Sequence, residues 1–256
     1  MVKLADAQAP EGMRLYAIGD VHGCPDLLAE VHRRITRDVE ARPAEDWRVI
    51  HIGDYIDRGP DSAGALARLI DYSRDPKAVF LIGNHDQFLR DFLRDPDRED
   101  FELWMLNGGI ETLDSFGLDG VRMMRECREA YMIDFRDRIL EATPPGTEAF
   151  LARLALWEAQ GDYAFVHAGI MPGYPLDEQS DHDLLWIREL FLESNLDHGA
   201  VIVHGHTPTD TVELHPNRIA IDTGAVFTGV LSCLVLEDDR QSLLGPDGPD
   251  AIIGRD

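Results

Sequence analysis

The chain has 256 residues, of which 44% are hydrophobic, and 48 Asp plus Glu against 24 Lys plus Arg give a formal charge of −24. That length fits one large domain with a substantial core, and that apolar fraction excludes a wholly disordered chain. So negative a field disfavours DNA, RNA and anionic lipid surfaces as partners, and no apolar run approaches the ~18 residues of a membrane span.

Residues Met1 to Met13 lack the apolar h-region of a secretory signal, so a cytoplasmic location is expected. Leu15-Tyr16-Ala17-Ile18 then reads as a short buried strand that stops in Gly19-Asp20-Val21-His22-Gly23. Asp26 to Glu40 places Leu27, Leu28, Val31 and Ile35 at helical spacing. A second strand, Val49 to Ile52, runs into Gly53-Asp54-Tyr55-Ile56-Asp57-Arg58-Gly59. Pro60 and Asp61 open a helix to Tyr72. A third strand, Val79 to Ile82, runs into Gly83-Asn84-His85-Asp86, with helical spacing from His85 to Leu93. Strand–helix–strand units of this kind predict a mostly parallel sheet with helices outside.

From about 95 to 160 the pattern changes. Phe101–Phe116, Glu126–Leu140 and Thr147–Gln160 read as helices, broken by Pro144-Pro145-Gly146, so an all-helical insertion is expected between the third and fourth strand-ended motifs. Strands resume at Tyr163–Val166, ending in His167-Ala168-Gly169, and at Val201–Val203, ending in His204-Gly205-His206-Thr207. Two more follow at Arg218–Ile221 and Val230–Leu236, and Gly245 to Pro249 reads as loop. The reading is thus one domain over 14–238, with tails at 1–13 and 239–256.

Functional groups of α/β sheets gather where strands end and loops begin. Here those ends carry Asp20, His22, Asp54, Asn84, His167 and His206. Alone, an Asp after Gly is usually a cap or turn former and a His usually structural; jointly they are the residue types that hold a metal pair. A carboxylate can bridge two cations, and mixed carboxylate and imidazole ligation without thiolate suits Mn²⁺, Fe or Zn²⁺. The three cysteines, Cys24, Cys127 and Cys233, form neither a zinc knuckle nor an obvious disulfide frame. Two ions about 3.5–4 Å apart can activate a shared water and stabilise in-line displacement at phosphorus.

The three ordered signatures at 19–23, 53–59 and 83–86 resemble those of the phosphoprotein phosphatase family of metallophosphoesterases. Val166-His167-Ala168-Gly169, Gly205-His206-Thr207 and Ile221-Asp222-Thr223-Gly224-Ala225 agree, and Trp186-Ile187-Arg188-Glu189 and Asn107-Gly108-Gly109 with Thr112-Leu113 resemble bacterial and phage members. The resemblance implies a four-layer αββα sandwich with a helical insertion. It implies that Asp20, His22 and Asp54 hold one divalent ion and that Asp54, Asn84, His167 and His206 hold a second, Mn²⁺ first and Fe or Zn²⁺ otherwise. It also implies that Arg58, Arg188 and Asn84 bind phosphate and that His85, oriented by Asp57, is the general acid. The expected substrate is a phosphoprotein or a phosphorylated small molecule.

Asp86 departs from the Glu usual in protein-phosphatase members and matches relatives that split diadenosine tetraphosphate symmetrically, whereas Asp57 and the Trp186–Arg188 segment match the protein phosphatases. The leading expectation is hydrolysis of phosphoserine and phosphothreonine, with phosphotyrosine also admitted. The alternatives are symmetrical dinucleoside tetraphosphate hydrolysis and a non-catalytic phospho-binding module. His204 is expected to stand behind the ligands or at the strand end, His51 to be structural, Cys24 to be a small buried residue, and His32 to stand without a surrounding constellation.

Overall fold

The computed structural model describes residues 2–252. Its first sheet has the order β11 (Gly248–Ile252), β10 (Arg240–Gly245), β9 (Cys233–Glu237), β1 (Met13–Ile18), β2 (Asp46–His51), β3 (Ala78–Phe80). The second has the order β4 (Trp157–Gln160), β5 (Tyr163–Val166), β6 (Val201–His204), β8 (Arg218–Ala220), β7 (Glu213–Leu214).

The period-two alternation of strand side chains sorts them into separate cores. Leu15, Ala17 and Ile50 of the first sheet meet Tyr163, Phe165, Val201 and Val203 of the second, forming the layer between the sheets. Tyr16, Ile18 and Val49 point the other way, onto α1 (Pro25–Ala41), α2 (Ser62–Tyr72) and α3 (Asn84–Arg94), through Leu28, Val31, Leu66, Leu69 and Leu89. On the far side Ala164, Val166 and Ile202 take Leu184 and Ile187 beside α9 (Asp181–Trp186) and Phe191 of α10 (Glu189–Leu192). Four layers result, αββα. Every residue of β5, β6 and β8, and all but one end residue of β1 and β9, is buried, which is why these central strands read as continuous apolar runs.

Register explains where the site must be. β1, β2 and β3 are parallel and in step, with Ile18 opposite His51 and His51 opposite Phe80. The loops carrying Asp20, Asp54 and Asn84 therefore leave one edge side by side. In the second sheet Phe165 lies opposite Val203 and His204 opposite Ala220, again in parallel. His167, His206 and Asp222 thus leave a common edge as well.

The insertion consists of α4 (Arg98–Trp104), a π-helical turn (Met105–Gly109), α5 (Ile110–Ser115), α6 (Gly120–Glu126), α7 (Met132–Ala142) and α8 (Thr147–Leu151). Two expectations fail within it. The helix expected over Glu126–Leu140 is broken after Glu126 and restarts at Met132. The helix expected over Thr147–Gln160 ends at Leu151, and Trp157–Gln160 forms the edge strand β4, paired with β5 across a two-residue turn at Gly161-Asp162. Four residues with one face in solvent carry too little pattern to announce a strand, and Gly161, at φ +60°, supplies the turn. The loop expected at 245–249 is likewise part of a hairpin: β10 and β11 pair around Pro246-Asp247 and extend the first sheet.

Candidate metal centre

Strain marks the place before chemistry does. Among the described residues six non-glycine positions have left-handed backbone, and five of them are His22, Asp54, Asp57, Arg58 and His206, at φ +41° to +71°. Such conformations cost on the order of 1–3 kcal/mol each and gather at functional sites. The flanking glycines make room: a Cβ on Gly83 would lie 2.1 Å from Asp54 Oδ1, and one on Gly205 would lie 2.1 Å from Asp20 Oδ1.

Two buried sets of ligating atoms share one carboxylate. His22, Asp54 and His85 bring donor atoms within 4.8 Å of one another, and so do Asp54, His167 and His206. Asp54 Oδ2 lies 3.5 Å from His22 Nε2, and its Oδ1 lies 3.4 Å from His167 Nε2. Asn84 Oδ1 stands 3.0 Å from His167 Nε2 and 2.8 Å from His206 Nδ1. Asp20 joins this floor through Oδ2, which accepts from His206 N at 3.0 Å.

The tautomers are set from outside. His22 Nδ1 donates to the Ile56 carbonyl at 2.8 Å and His167 Nδ1 to the Ile52 carbonyl at 3.0 Å. Both Nε2 lone pairs are thereby turned into the site. His167 Nε2 meets Asn84 Oδ1 and Asp54 Oδ1, an acceptor facing acceptors. Asp20 Oδ1 and His206 Nε2 are buried and have no hydrogen-bond partner among the described residues. Buried acceptors that converge without a donor are costly, and a cation relieves that cost. The donor set therefore fits divalent metal, harder than a thiolate site would prefer.

Electrostatics agree with the geometry. Burial pushes His22 down to about 4, against the pull of Asp54. Burial, helped by His167, pushes His206 to about 2, and burial also lowers His167. These imidazoles are neutral, as ligands must be. Burial opposes the charge on Asp54, but attraction to histidines that carry a proton, as His85 does, outweighs burial and lowers its pKa. Asp20 is raised by burial, by Asp222 and by Asp54.

His85 differs. Burial pulls its pKa down, yet Asp54 and the hydrogen bond to Asp57 outweigh burial and raise it. His85 Nδ1 lies 2.7 Å from Asp57 Oδ2, and both side chains are buried. Beside them Arg58 is exposed and donates from Nη1 to His22 Nε2 at 2.9 Å. Arg188 is also exposed, and its charge is felt at His167 and His206. Its segment is anchored by buried Leu184, Leu185 and Ile187, while half-buried Trp186 donates to Gln87 Oε1 at 3.1 Å.

Asp86 does not face this space. Its oxygens accept from Gly83 N and Tyr55 N, each at 2.9 Å, and so tie the second strand-end loop to the third. His204, expected behind the ligands or at the strand end, is the last residue of β6, buried against Phe191 and apart from both ligating sets. Burial raises the Cys24 thiol, whose Sγ lies 3.4 Å from the His22 carbonyl, so it is no ready thiolate. One expectation fails: His32 does have neighbours, hydrogen-bonded to His51 at 2.9 Å and stacked on Tyr72.

Sequence reasoning misses the groups behind Asp57. Trp104 Nε1 and Thr112 Oγ1 both donate to its carboxylate. The Asn-Gly-Gly and Thr112 pattern is a usable signal, but Trp104 carries none beyond hydrophobicity. Asp222, visible in the sequence only as part of a motif, stands beside Asp20, and burial raises it to about 6.

The model of the calcineurin-like phosphoesterase family matches residues 13–220. A serine/threonine-protein phosphatase 1 of Salmonella typhimurium is 30% identical over 231 residues, 88% of this chain and 93% of that protein. A symmetrical bis(5'-nucleosyl)-tetraphosphatase of Dechloromonas aromatica is 33% identical over 162 residues, 62% of this chain and 45% of that one. Among solved structures a cold-active protein tyrosine phosphatase shares the fold at TM-score 0.59 and 18% identity, covering 94% of this chain and 80% of that one. With its paired ligand sets on a shared aspartate, the chain belongs to the calcineurin-like phosphoesterases and is a metallophosphoesterase hydrolase.

Proposed function

We propose that this hydrolase removes phosphate from phosphoserine and phosphothreonine in proteins, and secondarily from phosphotyrosine. The carrying observation is the buried His85–Asp57 pair at 2.7 Å. A serine alkoxide leaves phosphorus poorly unless it is protonated, and this pair is a proton donor whose charged form is favoured by Asp54 and Asp57. Asp57 fixes the ring through Nδ1, so Nε2 carries the proton toward the leaving oxygen. Arg58 and Arg188 hold the phosphate oxygens, a task suited to the forked guanidinium, with Asn84 beside them. In this reading Asp20, His22 and Asp54 would hold one ion, and Asp54, Asn84, His167 and His206 a second, both Mn²⁺. Bound ions would supply Lewis acidity and acidify the attacking water.

The serine/threonine phosphatase relative supports this reading at 30% identity over most of its length; symmetrical tetraphosphatases match at 33% over less than half of one protein and at 25% over 94% of another, so the reading is carried by the His85–Asp57 pair. Asp86, the residue shared with tetraphosphatases, spends both oxygens on backbone and offers no argument for a nucleotide. The test sets a phosphoserine peptide against diadenosine tetraphosphate with Mn²⁺ in parallel. Inorganic phosphate from the peptide at a kcat/KM at least about tenfold higher supports the proposal, a margin of about 1.4 kcal/mol in barrier. Preferential release of ADP from the tetraphosphate overturns it.

A further inference from the structure

Asp57 and Arg58 are consecutive non-glycine residues in the left-handed region, at φ +71° and +66°. Each costs roughly 1–2 kcal/mol, and such a pair persists only where its surroundings over-determine it. Much of that determination comes from the helical insertion. Trp104 Nε1 donates to both Asp57 oxygens, at 2.9 and 3.1 Å. Thr112 Oγ1 donates to Asp57 Oδ1 at 2.6 Å and accepts from Asp57 N at 2.9 Å. Ser62 of α2 supports the same hydroxyl at 2.9 Å. The Gly108 carbonyl accepts from Arg58 N at 3.3 Å. Gly108, itself at φ +109°, packs so closely that a Cβ would lie 2.7 Å from Arg58 N.

A kink at Gly108 makes this convergence available. Trp104 and Thr112 are eight residues apart, and an α-helix would splay them by about 80°. At Gly108 the backbone leaves the helical region (φ +109°, ψ 8°), and across that kink both side chains reach the Asp57 carboxylate. Trp104, Thr112 and Asp57 are all fully buried, so neither donor can reach a substrate.

We propose that Trp104, Gly108 and Thr112 are positioning residues: the insertion sets the direction in which Asp57 presents its carboxylate to His85 and in which Arg58 leaves the chain. The inference rests on the general-acid reading of His85. A purely structural role would weaken folding and all substrates alike. A positioning role weakens the substrates that need the proton.

The experiment compares Thr112→Val, Thr112→Ser and Trp104→Phe by kcat/KM on a phosphoserine peptide and on p-nitrophenyl phosphate, with Mn²⁺ content and Tm measured alongside. Thr112→Val and Trp104→Phe are expected to lose at least about tenfold more on the peptide than on the aryl ester, part of the general-acid contribution. Thr112→Ser, which keeps the hydroxyl, restores the ratio. Equal losses on both substrates, or no rescue by serine, overturn the proposal. Should Thr112→Val fail to fold, Trp104→Phe carries the comparison, since phenylalanine keeps the packing on Phe92 and Phe101. Asp57→Asn is the reference. If it shows the bias and the insertion variants do not, the inference fails alone; if it shows none, the general-acid reading fails and takes the inference with it.

Discussion

Two buried histidines, His51 and His85, behave oppositely. His51, fully buried at the end of β2, is bonded through Nε2 to His32 Nε2 at 2.9 Å and through Nδ1 to the Val79 carbonyl. Burial pushes it down to about 4 and His32 to about 2. His85, only 1% exposed, sits with its ring centroid 4.8 Å from that of His22, and its pKa is raised. Burial acts on both rings in the same direction. The sign is decided by how many carboxylates act: Asp54 together with hydrogen-bonded Asp57 raises His85, Asp54 alone leaves His22 lowered, and none is bonded to His51. An imidazole in a core is neutral by default, and a charged one has to be built with anions placed at strained loops.

The largest test of this difference is metal. Chelator dialysis should abolish phosphate release, and Mn²⁺ should restore it. By calorimetry, Asp54→Asn should lose Mn²⁺ binding, because both ligand sets contain Asp54. The double variant His32→Leu/His51→Leu should keep it, since that pair offers imidazoles without a carboxylate. Full activity in protein shown metal-free by elemental analysis would break the comparison at its root.

Next comes the proton. His85→Asn should reduce phosphoserine-peptide turnover by roughly 10²–10⁴-fold, and p-nitrophenyl phosphate turnover far less, because nitrophenolate leaves as a stable anion. Equal losses with metal content intact would assign His85 to holding the metals or the water. Arg188→Ala should follow, with about 2–4 kcal/mol lost from transition-state stabilisation and an unchanged Tm, because the side chain is exposed. An unaltered kcat/KM on the peptide would make Arg188 an ordinary surface residue.

The strand ends are legible in the sequence because burial on both faces writes strands as apolar runs, and because Gly-Asp and Gly-Asn punctuate them. That pattern alone puts Asp20, Asp54, Asn84, His167 and His206 at sheet edges. Edge elements are not legible. Trp157–Gln160 alternates over only four residues, and the junction of Arg240–Gly245 with Gly248–Ile252 reads as loop over 245–249 because of Pro246 and Gly248. Neither is the clamp on Asp57, where Trp104 and Thr112 converge across a kink at Gly108 that a 3.6-residue period does not express. The His32–His51 pair is hidden for a related reason, since a helix face and a strand end meet only in three dimensions.

That pair gives the smallest effect and a direct one. Both rings are neutral when folded, with values near 2 and 4, against an ordinary value near 6.5 for an exposed imidazole. The unfolded chain thus binds more protons below about pH 6.5, and stability rises with pH in that window. Their contribution is complete above about pH 6.5 and is lost as pH falls toward the folded-state values, by on the order of 1–2 kcal/mol per histidine at pH 5.5. The metal-site histidines share the direction, so the measurement is a difference between variants, in Mn²⁺-loaded protein that keeps those rings occupied. The double variant His32→Leu/His51→Leu removes both partners and leaves no orphaned nitrogen. Its Tm should fall less between pH 7.5 and 5.5 than that of the parent. The single variant His51→Leu should instead lower Tm at both pH values, by about 1–3 kcal/mol in stability, because His32, whose Nδ1 is already without a partner, would be left with both nitrogens unsatisfied. If parent and double variant show the same acid sensitivity, the pair titrates freely in the folded state and burial does not hold it neutral.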